Sequence, residues 1–450
     1  GYSFKFVWAP LIDVIPLPLL TRRLGRRRAW LLLSQLMIMV AIAMMALIDP
    51  ASDGLTLMAM AAILLGFSAA TQDVVIDAYR IESAGQELQA LMSASYIAGY
   101  RIGMLIAGAG ALLLASSFGS ELGSYNFSAW QLTYLVMALF MLIGMVTTLI
   151  INEPVVNQHR PAEVAWDYAG LFFTFVVGVS GFIACFVLSS DMAVTAKAIL
   201  SGWLHNVHLA AVLVEMLRFG FALLVAVLLA RFCMRFEWVN RELLRRSYVE
   251  PVQDFFLRYG CSLALLLLAL VGLYRISDIV LGVIANVFYQ DMGFTKPQIA
   301  TVVKTFGLFM TIAGGFLGGI LAVRFGVMRI MFLGAVLSAL TNLLFMLLAG
   351  MGNDVLMLYV VISADNLSAG LASAAFIAFL SSLTNISFTA VQYAIFSSLM
   401  TLLPKILGGY SGSMVEAIGY EWFFLSTALM GLPVLLLISV AAKRFNLKQS

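Results

Sequence analysis

Apolar runs of about 20 residues, the length a helix needs to cross a bilayer, recur along the whole chain between short polar stretches. The pattern predicts a partial span at 1–20. Complete spans follow near 29–49, 55–80, 88–116, 130–151, 168–190, 205–234, 260–290, 298–323, 327–351, 355–381, 387–412 and 420–442. Polarity does not alternate within these runs, so they read as helices and not as barrel strands. The expected fold is an all-α polytopic membrane protein with twelve complete spans and one remnant. The chain opens directly in Phe4-Lys5-Phe6-Val7-Trp8, as if inside a helix, so an N-terminal portion is expected to be missing; no cleavable signal peptide is predicted.

Composition agrees with this pattern. Of the 450 residues 62% are hydrophobic and 11% charged, and the mean hydropathy of +1.00 excludes a water-soluble globular domain. A net charge of +3 gives no reason to expect a nucleic-acid partner. Assigning the loops to alternate sides places Arg22 to Arg28, Arg80, Arg160, Arg231 to Arg258, Arg324, Arg329, Lys443, Arg444 and Lys448 on one side. Only Lys197 and Lys296 fall on the other. By the positive-inside rule the first side is cytoplasmic, with the C-terminus inside and the 117–129 and 191–204 loops outside.

Cys185, Cys233 and Cys261 lack metal or disulfide spacing and read as small hydrophobes. His159, His205 and His208 lie near span ends with no third ligand, so no metal and no cofactor are expected. Small residues at close-packing spacing predict tight helix contacts at Gly99, Gly103 and Ala107, and at Gly314-Gly315 with Gly318-Gly319, with a hinge role as the alternative. The stretch 231–246 is amphipathic and basic, suited to lying on anionic membrane lipids.

Ionisable residues inside spans mark candidate function, because a charge at membrane depth costs about 2.5 to 3.5 kcal/mol on insertion scales. Asp73 and Asp77, four residues apart, share a helix face with no cation in the preceding turn. They are the candidate proton-coupling pair, with Lys5 or Arg101 expected to gate one of them. Arg275 with Asp278, and Glu215 with Arg218, share faces at a spacing of three. The first of these pairs is placed with Lys304 in a polar patch, and Asp365 completes the charge network. No Gly-x-x-x-x-Gly-Lys-Ser/Thr loop occurs, which excludes self-contained ATP drive.

Trp8-Ala9-Pro10-Leu11-Ile12-Asp13, followed by Leu24-Gly25-Arg26-Arg27-Arg28, and the later Gly319-Ile320-Leu321-Ala322-Val323-Arg324-Phe325-Gly326 both resemble the loop of the major facilitator superfamily that joins helices 2 and 3 and recurs between helices 8 and 9. Asp13, Gly25, Arg26, Arg27, Arg28, Arg324 and Gly326 are thereby the expected conformational motif, with the acid capping a helix and the arginines binding its end. The first copy carries nine extra residues between acid and glycine. The second has Val323 in the acid position, so a latch there is expected to be one-sided.

The resemblance implies a major facilitator fold of two six-helix halves with an inserted helix pair. The expected domains are 1–151 (remnant of helix 2 to helix 6), 152–259 (inserted pair and basic linker) and 260–450 (helices 7–12). Phe4 to Asp13, Gln72 to Ala78, Gly99 to Leu105 and Val391 to Ala394 resemble the AmpG-type muropeptide permeases, in their fourteen-helix branch. That likeness implies a monomeric bacterial inner-membrane importer of anhydromuropeptides. It would be driven by protons and would serve cell-wall recycling and β-lactamase induction. Tyr96, Tyr100, Arg101, Asn286, Gln392 and Tyr393 have chemistry suited to such a substrate. Another amphiphilic solute such as a lysolipid is the alternative cargo. An intramembrane enzyme or a sensor is less favoured, since no second-helix acid or nucleophile accompanies the Asp73–Asp77 pair.

Overall fold

A computed structural model describes residues 2–52, 54–120, 124–155, 165–204 and 206–449. His159, Arg160 and His205 lie outside the described residues, as do the side chains of His208 and Lys448. The described chain contains twelve helical stretches long and apolar enough to cross a membrane: Arg26–Leu47, Leu55–Ser83, Gln86–Ser117, Phe127–Ile150, Ala165–Leu188, Leu209–Arg235, Cys261–Asp291, Lys296–Phe325, Val327–Met351, Val355–Leu383, Ile386–Gly408 and Ser411–Arg444. Each matches one expected span.

Three features differ from the pattern. The external loop placed at 191–204 is a helix, Ser190–Leu204, with Asp191 in its first turn and Lys197 bound to Glu215 at 2.5 Å. The last span begins nine residues before the expected 420, and Gly419 interrupts it at φ +78°, a backbone state that a side chain would strain. Gly99 and Gly103 meet no close neighbour: a Cβ at either would find nothing within 4 Å.

Contacts divide the chain into two compact units. The first comprises Gly1–Ala9, Pro16–Asn157 and Phe255–Ser450. Its deepest core is aromatic, with Phe288, Phe345, Phe376, Phe423 and Phe424 fully buried. The expected glycine ridge packs there as predicted. A Cβ on Gly314 or Gly318 would fall 2.1 Å or 2.6 Å from the backbone of Leu367 or Leu371 on the neighbouring helix. Without a hydrophobic drive between helices in lipid, such backbone approach supplies much of the attraction. Gly319 brings this ridge to the earlier part of the chain, where its Cβ would lie 3.0 Å from the Ala90 carbonyl oxygen; Ala94, Ile97 and Ala374 cluster beside it.

The second unit comprises Pro10–Ile15 and Gln158–Asp254. Within it Gly170 admits the Trp238 carbonyl, which would come within 2.2 Å of an added Cβ. Glu215 accepts from Arg218 at 2.9 Å, and Arg218 also donates to the Ser189 hydroxyl and the Phe186 carbonyl. Asn240 caps the helix Arg241–Leu244. The Glu242 carboxylate accepts from Arg245 and Arg246; those hydrogen bonds, Arg245's first, hold its pKa down at about 2.

Candidate functional site

Asp73 and Asp77 lie one turn apart on Leu55–Ser83, and the segment Tyr2–Val7 docks against their face. Trp8 anchors that docking by donating its indole N–H to Thr71 Oγ1 (3.1 Å) and packing on Phe67. Lys5 Nζ is thereby set between the acids, 2.6 Å from Asp73 Oδ2 and 3.5 Å from Asp77 Oδ2. Tyr96 donates its hydroxyl to the other Asp73 oxygen at 2.7 Å. Lys5, Asp77 and Arg80 are all buried.

Of the two cations expected to gate an acid, Lys5 is the one placed at the pair, and it bridges both carboxylates. Among the described residues Arg101 makes no ion pair or hydrogen bond with either. The second cation is Arg80, one turn beyond Asp77, with Nη2 3.6 Å from Asp77 Oδ1. That separation exceeds a hydrogen bond, and both atoms are buried without a hydrogen-bond partner. Arg80 Nη1 donates to Gln89 Oε1 (2.9 Å), Ser93 Oγ (3.3 Å) and Ser381 Oγ (2.9 Å), and its guanidinium lies 5.3 Å from the Tyr393 ring centre. One side chain thus ties the acid helix to helices some 300 residues downstream.

Of the six candidate substrate contacts, the structure commits several elsewhere. Gln392 is buried and accepts from Arg258 (2.9 Å) and from the Asn385 backbone N–H (2.7 Å). Tyr393 is buried under Arg80, and Tyr96 is taken by Asp73. Gln392 and Tyr393 thus brace the interior, while Tyr96 is partly buried with its hydroxyl committed to Asp73. Tyr100 is 61% exposed, Arg101 is partly buried, and Asn286 accepts from Lys304 at 2.8 Å.

That last bond removes Lys304 from the patch expected around Arg275 and Asp278. Arg275 Nη2 stands 3.6 Å from Asp278 Oδ2 while its Nη1 donates to Ser373 at 2.9 Å. Asp278 also accepts from Ser338. Thr341 donates to the neighbouring Ser338 carbonyl (3.0 Å) and lies 3.3 Å from Asp365, so these hydroxyls join the two acids.

In the first loop motif Gly25, at φ +87°, starts Arg26–Leu47. The acid on that helix start is Glu153, whose carboxylate accepts from the Arg27 and Arg28 backbone N–H groups at 2.7 and 3.0 Å. Asp13, expected to cap a helix, is buried at the end of Ala9–Val14. The Arg27 side chain is fully buried against Glu82 (2.5 and 2.9 Å), Arg26 lies 4.0 Å from the same carboxylate, and Arg28 donates to the Thr148 and Leu149 carbonyls. The second copy repeats the backbone: Gly326 has φ +89° at the start of Val327–Met351. Its Arg324 lies over Phe325, and an added Cβ on Gly326 would find open space.

A sequence profile of the Major Facilitator Superfamily matches residues 3–274. The chain belongs to the major facilitator superfamily. It is 29% identical over 447 residues to "Putative transporter AmpG 4" of Rickettsia felis, covering 99% of this chain and 86% of that protein. It is 28% identical over 441 residues to the "Anhydromuropeptide permease" of Escherichia coli strain K12, covering 98% of this chain and 70% of that one. Among solved structures, a double-tryptophan variant of the symporter XylE superposes with a TM-score of 0.59 at 11% identity, covering 97% of this chain and 82% of that chain; at that identity the likeness is of fold alone.

Major facilitator proteins are transporters and not enzymes, so this chain is a multi-pass membrane transporter, related to the AmpG-named proteins at 28 to 29% identity. Sequence reasoning missed Glu82, Glu153 and the reach of Arg80. Two signals were present: Arg80 and Glu82 close one apolar span, and Glu153 follows another immediately. Acids at the ends of neighbouring spans suit an arginine-rich loop, but spacing cannot say which acid meets which arginine.

Proposed function

We propose that this transporter imports anhydromuropeptides across the bacterial inner membrane by symport with protons, with its C-terminus in the cytoplasm and acting as a monomer. The products would serve cell-wall recycling and thereby β-lactamase induction. Residues 1–151 and 260–450 form the two transporting halves, and 152–259 is an inserted pair with a basic linker for the inner lipid surface. The name of the E. coli relative supports the cargo.

The observation that carries the proton reading is the cluster of buried Lys5, Asp77 and Arg80 with partly buried Asp73. Two carboxylates share one lysine, so a proton arriving on Asp73 releases Lys5 toward Asp77. That competes with Arg80 for Asp77 and loosens the bond from Arg80 to Ser381. The proton thereby acts on the contact that holds helices of the two halves together at the end assigned to the cytoplasm. Gly25, Arg26, Arg27 and Arg28 steady the first half during this motion, with Arg324 and Gly326 their counterpart in the second, while Arg101, Tyr100 and Asn286 meet the cargo.

The test is uptake of labelled anhydromuropeptide into proteoliposomes. Accumulation with an inward proton gradient and only equilibration without one is the expected result. Equal uptake in both conditions removes proton coupling, and no uptake in either removes the cargo.

A further inference from the structure

Arg101 stands on Gln89–Leu105, partly buried in an apolar stretch, and no described residue accepts a hydrogen bond from it or forms an ion pair with it. An unpaired guanidinium at membrane depth is expensive. The charged group acting most strongly on it is a like charge, Arg275. Packing brings their helices together. Ile97, one turn before Arg101, clusters with Ala374, and Ser373 beside it is the residue to which Arg275 donates. One arginine therefore comes from each half of the transporter.

Arg275 is only partly satisfied from within. Its ion pair with Asp278 is 3.6 Å long, that carboxylate is shared with Ser338, and the Arg275 side chain retains 26% exposure. A guanidinium carries five N–H donors in a fork matched to a carboxylate or phosphate, and Arg101 spends none of them on the described residues.

We propose that Arg101 and Arg275 form a clamp, one jaw on each half, for an anionic group of the transported solute. On the anhydromuropeptide reading, on which this inference rests, that group is a carboxylate of the peptide stem. An anion between the two guanidinia replaces mutual repulsion with two charge-assisted contacts. It does so best when the halves approach, so the clamp makes closure around cargo depend on the cargo's charge. Arg101 is then a specificity-determining residue whose jaw is completed only by the other half.

The test compares binding of anhydromuropeptide with free stem carboxylates against the same compound with those carboxylates amidated, using the purified full chain. The wild type should favour the acid by about tenfold or more, as expected for a hydrogen-bonded charge pair. Arg101→Gln should lose that preference, binding both forms alike, and Arg101→Lys should restore part of it. Because Arg101 has no hydrogen-bond or ion-pair partner among the described residues, these variants break no such bond there. Arg275→Gln should behave as Arg101→Gln does; should it fail to fold, the Arg101 pair decides.

An unchanged acid-to-amide ratio in Arg101→Gln overturns the clamp, as does a wild type that binds both forms equally; in the latter case the cargo assignment stands. A wild type that binds neither form removes the cargo assignment, and lysophosphatidylglycerol becomes the probe. Its binding in the wild type and loss in Arg101→Gln keep the clamp, with phosphate as the anion. Its absence in the wild type, or its persistence in the variant, overturns it.

Discussion

Replacing Asp73 by Asn should separate folding from energy coupling, because the geometry distributes Lys5 between two acids. At an effective dielectric of about 20, a unit-charge pair at the 2.6 Å of Lys5–Asp73 attracts by roughly 6 kcal/mol, and one at the 3.5 Å of Lys5–Asp77 by roughly 5 kcal/mol. Asp73→Asn therefore leaves Lys5 with a nearly equivalent partner. Tyr96 retains an acceptor in the amide oxygen. The net destabilisation should be about 1 to 3 kcal/mol, the range for losing one hydrogen bond to a charged group.

Lys5→Met is the harsher change. It leaves buried Asp77 with Arg80 and partly buried Asp73 with Tyr96, a loss of about 3 to 5 kcal/mol by analogy with broken buried pairs. Thermal unfolding in detergent should therefore rank Lys5→Met below Asp73→Asn. In proteoliposomes Asp73→Asn should exchange labelled for unlabelled anhydromuropeptide at a measurable rate and fail to concentrate it against a gradient. Undiminished uphill accumulation by Asp73→Asn would refute the coupling role. A variant less stable than Lys5→Met would refute the account of the shared lysine.

Arg80→Ala removes the donor to Gln89, Ser93 and Ser381. Loss of the Ser381 bond alone, about 1.5 kcal/mol for a charged donor, should speed maleimide labelling of a cysteine placed at Ala90 by about tenfold, and an unchanged rate excludes Arg80 as a latch. Gly25→Ala should cost about 2 to 3 kcal/mol, combining left-handed strain with displacement of the Glu153 cap, since its Cβ would sit 2.3 Å from Glu153 Cγ. Gly326→Ala meets open space and should cost about 1 kcal/mol, so equal losses in thermal unfolding contradict the asymmetry.

The depressed pKa of Glu242, about 2, makes its ion pairs with Arg245 and Arg246 complete above the unfolded carboxyl range, and they weaken as pH falls through the folded value. Hydrogen exchange over 241–249, corrected for intrinsic rate, should stay flat from pH 7 to about pH 5 and rise on further acidification. In Glu242→Gln that step should be absent, and a step of equal size in both chains contradicts it.

The twelve spans were legible because burial in lipid demands long uninterrupted apolar runs. The acid pair was legible too, since i and i+4 share a helix face whatever lies around them. The helix Ser190–Leu204 was not. Its composition is that of a loop edge, and it forms on the support of Lys197–Glu215 and the next helix.

Sequence by itself determined the membrane class, the number of membrane-length apolar runs, the placement of Asp73, Asp77, Arg275 and Asp278 on their own faces, and the glycines of the loop motif at 25 and 326. Tertiary structure decided the partners: Lys5 between the two acids, Arg80 reaching Ser381, Glu153 on the start of Arg26–Leu47, Ser373 under Arg275. The reason is range. Periodicity and insertion cost act within a turn or a span, whereas a charge at membrane depth takes whichever counter-charge or hydroxyl packing brings within about 3 to 4 Å, and that neighbour here lies as many as 300 residues away.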